Sequence, residues 1–73
     1  MELEEGRKAL TNIVENYVND QEQVDRLRNI IYSEPPRVPI RGIMHEIEIH
    51  HLWNQPITPE DREILDDLFH FFG

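Results

Sequence analysis

Cysteine is absent from this 73-residue chain, which removes disulfides, thiolate metal sites and cysteine nucleophiles together. The usual reinforcements of a mini-protein must be found elsewhere or done without. Long apolar runs are also lacking. No stretch nears the roughly 18 residues of a membrane span, and Met1-Glu2-Leu3-Glu4-Glu5 is acidic where a signal peptide needs a basic region followed by an apolar one. A soluble, cytoplasmic protein without a membrane partner is the expectation. Basic residues are scarce: 7 Lys and Arg stand against 15 Asp and Glu, a formal charge of -8. Gripping phosphates takes a basic stripe that displaces counterions. Here Arg7 and Lys8, Arg26 and Arg28, and Arg37 and Arg41 are each diluted by neighbouring acids, so no direct contact with nucleic acid is expected.

What is present suits a fold. With 38% apolar and 30% charged residues the composition departs from that of disordered chains, and the length allows a single small domain over residues 1–73. Charge is uneven along it. Residues 1–41 hold 8 acids and 6 bases, whereas residues 42–73 hold 7 acids and 1 base, so the second part carries -6 of the -8.

Apolar residues at Leu3, Leu10, Ile13, Val14, Tyr17 and Val18 recur with the spacing of one helical face, predicting a helix over 3–18. Gly6 falls on the apolar side of that wheel, where it either lets another backbone approach closely or is a weakly tolerated surface glycine; the second reading is slightly favoured. Asn19-Asp20 breaks the pattern, and Asp20 with Gln23 resembles a capping box for a second helix over 21–32, carrying Val24, Leu27, Ile30 and Ile31 on one face. So short a break implies an antiparallel hairpin. Pro35, Pro36 and Pro39 make 33–42 a strap. Residues 43–53 fit two patterns: a helix apolar on two sides, or a strand alternating through Glu46-Ile47-Glu48-Ile49-His50. No other segment offers a strand partner, which leaves a helix, unless another chain supplies the pairing. Thr58-Pro59-Glu60-Asp61 then starts a helix over 59–71, with Ile64, Leu65, Leu68, Phe69, Phe71 and Phe72 on a broad apolar arc. The expected fold is an all-α bundle of about four short helices.

Chemistry-bearing clusters are few. His45, His50 and His51 with Glu46 and Glu48 crowd ligating groups together, but the His-Glu-x-x-His spacing of zinc sites is missing. These three histidines are weak metal candidates within what otherwise reads as surface pairs. Protonating all four histidines would halve the charge to -4, so a pH-sensitive interface is a comparable reading. No base stands at a recognisable spacing from Ser33, Thr11 or Thr58, and no glycine-rich phosphate loop exists; neither catalytic residues nor a cofactor are expected. Pro36-Arg37-Val38-Pro39-Ile40-Arg41 matches P-x-x-P-x-R and resembles the ligand of SH3 domains, though a strap packed on its own domain suits it better.

The remaining signals point to binding. Glu60, Glu63, Asp66 and Asp67 give the last helix an acidic face. Four short helices cannot bury both sides of 43–53 and every ring of Trp53, Phe69, Phe71 and Phe72, so an apolar patch should stay in contact with solvent. Trp53, beside Ile49 and Leu52, is the first choice for its centre, with the central core ring of the domain an equal reading of the same residue. The expected partner is a larger protein with a basic surface; a homo-oligomeric structural module and a His/Glu metal-binding protein are the alternatives. In size, acidity and lack of motif the chain is similar to small phage-encoded proteins that inhibit or redirect host machines such as RNA polymerase or nucleases. That likeness implies a regulator, and it rests on profile rather than on particular residues.

Overall fold

The structure, a computed structural model, describes residues 1–33 and 37–73. Four helices follow one another: α1 (Leu3–Tyr17), α2 (Gln21–Ser33), α3 (Ile40–Ile49) and α4 (Pro59–Phe72). No strand occurs among the described residues, so the all-α expectation holds and the alternating pattern at 46–50 does not signal a strand.

The hairpin forms as its periodicity dictates. Leu10, Ile13, Val14 and Tyr17 of α1 meet Val24, Leu27 and Ile31 of α2 in the core, all at 5% exposure or less. Asp20 caps α2, its Oδ1 accepting from the Glu22 N–H at 3.0 Å. The reciprocal half of the capping box is missing, because the Gln23 Oε1 accepts from Arg26 instead.

α3 differs from the expected 43–53 at both ends. It starts three residues early because Pro39, which has no N–H to satisfy, precedes it and offers its carbonyl to the Ile43 N–H at 3.0 Å. The strap is correspondingly shorter: Pro35 and Pro36 lie outside the described residues, and Arg37–Pro39 is irregular. Val38 and Ile40 are buried and Arg41 is helical, so residues 37–41 are not an extended ligand free to enter another domain's groove. At the other end the helix stops at Ile49. His51 adopts a left-handed φ of 52°, the Leu52 N–H reaches the Ile47 carbonyl at 3.0 Å and the His51 N–H the Glu48 carbonyl at 3.3 Å. This is the Schellman termination, with histidine where glycine is more usual. Leu52 and Trp53 therefore sit on a loop and not on α3, and the two-sided apolar helix inferred from sequence does not exist.

α4 begins as its sequence predicts, with the Thr58 Oγ1 accepting from the Asp61 N–H at 3.2 Å and Pro59 in the first turn. It packs across α1 and α3. Gly6 is buried, and a Cβ there would lie 2.5 Å from the Phe72 Cε2 and 3.2 Å from the Val38 Cγ2. The surface reading of Gly6 fails, and what its missing side chain admits is the Phe72 ring rather than another backbone. Total exposed area is 4776 Å², in line with the roughly 4,800 Å² of a compact monomer of this mass.

Candidate protein-interaction surface

Tyr17, at the C-terminal end of α1, organises the loop that carries Trp53. It is 1% exposed, and its hydroxyl donates to the Asp61 Oδ2 at 2.6 Å while accepting from the Thr58 N–H at 3.1 Å. Its carbonyl accepts from the Asn54 N–H at 3.0 Å, and the Asn54 side chain donates to the Asn19 Oδ1 at 2.7 Å. Residues 53–58 are thus tied down along α1. The Trp53 ring stands edge-on to Tyr17, 5.6 Å between centroids at 78°, and its Nε1 donates to the Glu48 Oε1 at 3.2 Å. Trp53 is half-buried: one side belongs to the core margin and the other lines a groove.

That groove runs between α3 and α4. Met44, Trp53, Ile57, Leu65 and Phe69 give it an apolar lining, with Glu48, Arg62 and Asp66 along its edges. Its volume of about 210 Å³ falls below the roughly 300 Å³ at which small-molecule pockets begin, and suits one or two protein side chains. Arg41 lies over the Phe69 ring, 5.9 Å from its centroid, at the end of the groove away from Trp53.

The outward face of α4 has a different character. At about 100° per residue, Glu60, Glu63, Asp67 and Phe71 fall on one stripe. All four are exposed, and none of the three acids belongs to an ion pair among the described residues. The sequence-predicted site therefore divides. Trp53 and Asp66 line the groove, Glu60, Glu63 and Asp67 occupy the outer stripe, Leu52 packs on the core, and Ile49 points outward from α3 at 49% exposure.

Two rings of the apolar arc, among those expected not all to be buried, are exposed: Phe69 at 38% and Phe71 at 53%. The signal for Phe71 was present in the spacing, since it follows Asp67 by four residues and so shares the acidic side. For Arg41 and Tyr17, whose partners lie far along the chain, no local signal existed.

The histidines do not converge. His50 approaches Glu46 at 3.7 Å, but that carboxylate already accepts from the Arg26 guanidinium. This contact is the first cause of a Glu46 pKa below the ordinary carboxylate value, aided by the positive charges of Arg26, His50 and His45 and opposed by desolvation. His45 projects from the outward side of α3, and His51 occupies the left-handed corner. Among the described residues no three ligating side chains gather where they could hold a metal ion, and no helix is long and apolar enough to cross a membrane. Comparison of the chain with protein-family models, with curated proteins and with solved structures finds no match.

Proposed function

We propose that this chain is a non-enzymatic, protein-binding regulator that offers the acidic face of α4 to a larger protein with a basic surface, such as one that handles nucleic acid. The observation that carries the reading is the outer stripe itself. Three exposed acids that form no ion pair among the described residues run along one helix face and end in an exposed phenylalanine. Acids that form no ion pair among the described residues are available to an external cation, and a ring beside them supplies apolar area at a contact whose charges steer the encounter. The charge of residues 42–73, -6 of the total -8, attracts a basic partner at a distance before any contact forms. Occupying a surface that otherwise holds phosphates would exclude the nucleic acid, which is the action of an inhibitor.

A test uses Glu63→Lys/Asp67→Lys beside the unaltered protein in affinity capture from cell lysate over a series of salt concentrations. The expected result is a basic protein retained by the unaltered chain, released as salt rises, and lost by the charge-reversed variant while its helical circular dichroism is unchanged. Equal capture by both chains, or retention of nucleic acid alone, would sink the reading.

A further inference from the structure

We infer that the groove between α3 and α4 is an interface between two copies of this chain. The inference is independent of the acidic stripe, which lies more than a quarter turn around α4 from the groove. It starts from charge. A molecule of formal charge -8 meets its own copy at least cost where its local charge is neutral and complementary. The groove is such a place: Arg62, the sole base of residues 42–73, stands on its edge, Arg41 lies at its end over Phe69, and Glu48 and Asp66 balance the two. None of these four belongs to an ion pair among the described residues.

Their order matters more than their sum. α3 and α4 run antiparallel, since Arg41 near the start of α3 meets Phe69 near the end of α4. One end of the groove therefore has Arg41 on the α3 side and Asp66 on the α4 side; the other has Glu48 on the α3 side and Arg62 on the α4 side. A face-to-face pair of identical chains is related by a two-fold axis lying in the plane of contact. With the axis along the groove, Arg41 faces the copy's Asp66 and Glu48 faces the copy's Arg62. With the axis across it, Arg41 faces the copy's Glu48 and Arg62 faces the copy's Asp66. Opposite charges meet in both cases, so the alternation is self-complementary for either arrangement. Between the charges lies the apolar lining of Met44, Trp53, Ile57 and Phe69, the composition of an interface core inside a polar rim. The lining is small, which suits a reversible dimer below about 1,200 Å² of total contact. A chain without disulfides also gains from association, one of the ways small domains are stabilised.

Sedimentation velocity of the full chain from about 1 μM to about 1 mM covers the range in which so small an interface assembles. Apparent mass should rise from 8.8 kDa toward twice that value with concentration. Arg62→Glu should raise the dissociation constant at least tenfold. Arg28→Glu, on the exposed side of α2, makes the same change in net charge and should alter it by no more than about twofold, as screened, distant charges do. Reversing all four rim charges together (Arg41→Glu, Glu48→Arg, Arg62→Glu and Asp66→Arg) leaves the net charge at -8 and should restore association. A constant monomer mass over the whole range overturns the inference. So does an Arg28→Glu effect as large as that of Arg62→Glu, which would mark general repulsion and not this groove.

Discussion

α1 and α2 turn their apolar stripes inward, whereas α3 and α4 divide theirs. Leu10, Val14, Leu27 and Ile31 of the hairpin have no exposed area at all, and Ile43, Ile47 and Leu68 of the second pair match them. Yet the second pair also leaves Ile49, Phe69 and Phe71 in solvent. The hairpin's one comparably exposed ring, Tyr32, has an internal use, covering the buried Arg7 guanidinium at 5.7 Å. Among the described residues Phe71 meets only His70 and Phe72, its chain neighbours, in aromatic contact. The same kind of side chain thus serves the fold in one place and is available for contact in the other. A marginally stable small domain gains little from a phenylalanine in water, so an explanation from stability alone stops at α4's inner face.

The widest test of this contrast compares one buried with one exposed residue of the second pair. Ile43→Ala should cost about 2–5 kcal/mol by opening a cavity at a fully buried site, a large share of the roughly 4–11 kcal/mol that a chain of this length holds. Phe71→Ala should change stability by no more than about 0.5 kcal/mol while weakening partner capture. Urea melts of both variants measure it. A loss of more than about 2 kcal/mol for Phe71→Ala would return that ring to the core and remove the distinction.

Tyr17 joins the two regions, and removing its hydroxyl asks how firmly. Tyr17→Phe keeps the ring against Trp53 but leaves the Thr58 N–H and the Asp61 carboxylate without their shared partner. A hydrogen bond to a charged group is worth about 1.5–3 kcal/mol, and a loss of that size is expected by thermal melting. Amide hydrogen exchange should quicken first across residues 53–61, because the loop is pinned through this hydroxyl. Uniform loosening of the whole chain would show instead that the two regions unfold as one unit.

Two glycines sharpen the contrast at a smaller scale. Both are helical, so Gly→Ala brings about 1 kcal/mol of helix propensity at either. Gly42 has nothing within 4 Å of an added Cβ, and Gly42→Ala should stabilise by about 0.5–1 kcal/mol. At Gly6 the Cβ meets the Phe72 ring at 2.5 Å; overpacking of about 1–3 kcal/mol outweighs the propensity gain, for a net loss of about 1 kcal/mol. In a Phe72→Ala background most of that penalty should vanish. An equal gain at both glycines would mean that the Phe72 ring moves aside without cost.

Helix periodicity and capping chemistry carried most of the architecture into view before any coordinates: the hairpin, the Asp20 and Thr58 caps and the start of α4 all depend on residues a few positions apart. α3 resisted because its limits are set otherwise. Its start uses Pro39 ahead of the first turn, where a proline-rich stretch reads as irregular, and its end uses His51 in a conformation that glycine usually signals. The proposed interaction surface was legible in charge but not in layout. Nothing local shows that Tyr17 would hold the Trp53 loop, or that Arg41 and Arg62 would make the groove neutral while α4's outer face stays acidic. Such pairings span distances in sequence that a periodicity within one helix does not report.

The smallest expected effect lies at the other joint between the two regions, where the Arg26 guanidinium of α2 donates to the Glu46 carboxylate of α3. That hydrogen bond is the main reason the Glu46 pKa sits below its usual value. A carboxyl whose pKa is lower in the folded than in the unfolded chain stabilises the fold above the unfolded value, and this contribution disappears as pH falls through the folded one. The pair is partly exposed, with side chains 40% and 26% accessible, so solvent screening keeps its worth small. Arg26→Gln should raise the Glu46 titration midpoint, read from its carboxyl carbon by NMR. The same variant should melt slightly below the unaltered protein at pH 7, and the gap should close as pH falls and Glu46 protonates. A midpoint unmoved by Arg26→Gln would mean that the contact is not held in solution, and α2 and α3 would then meet through their apolar faces alone.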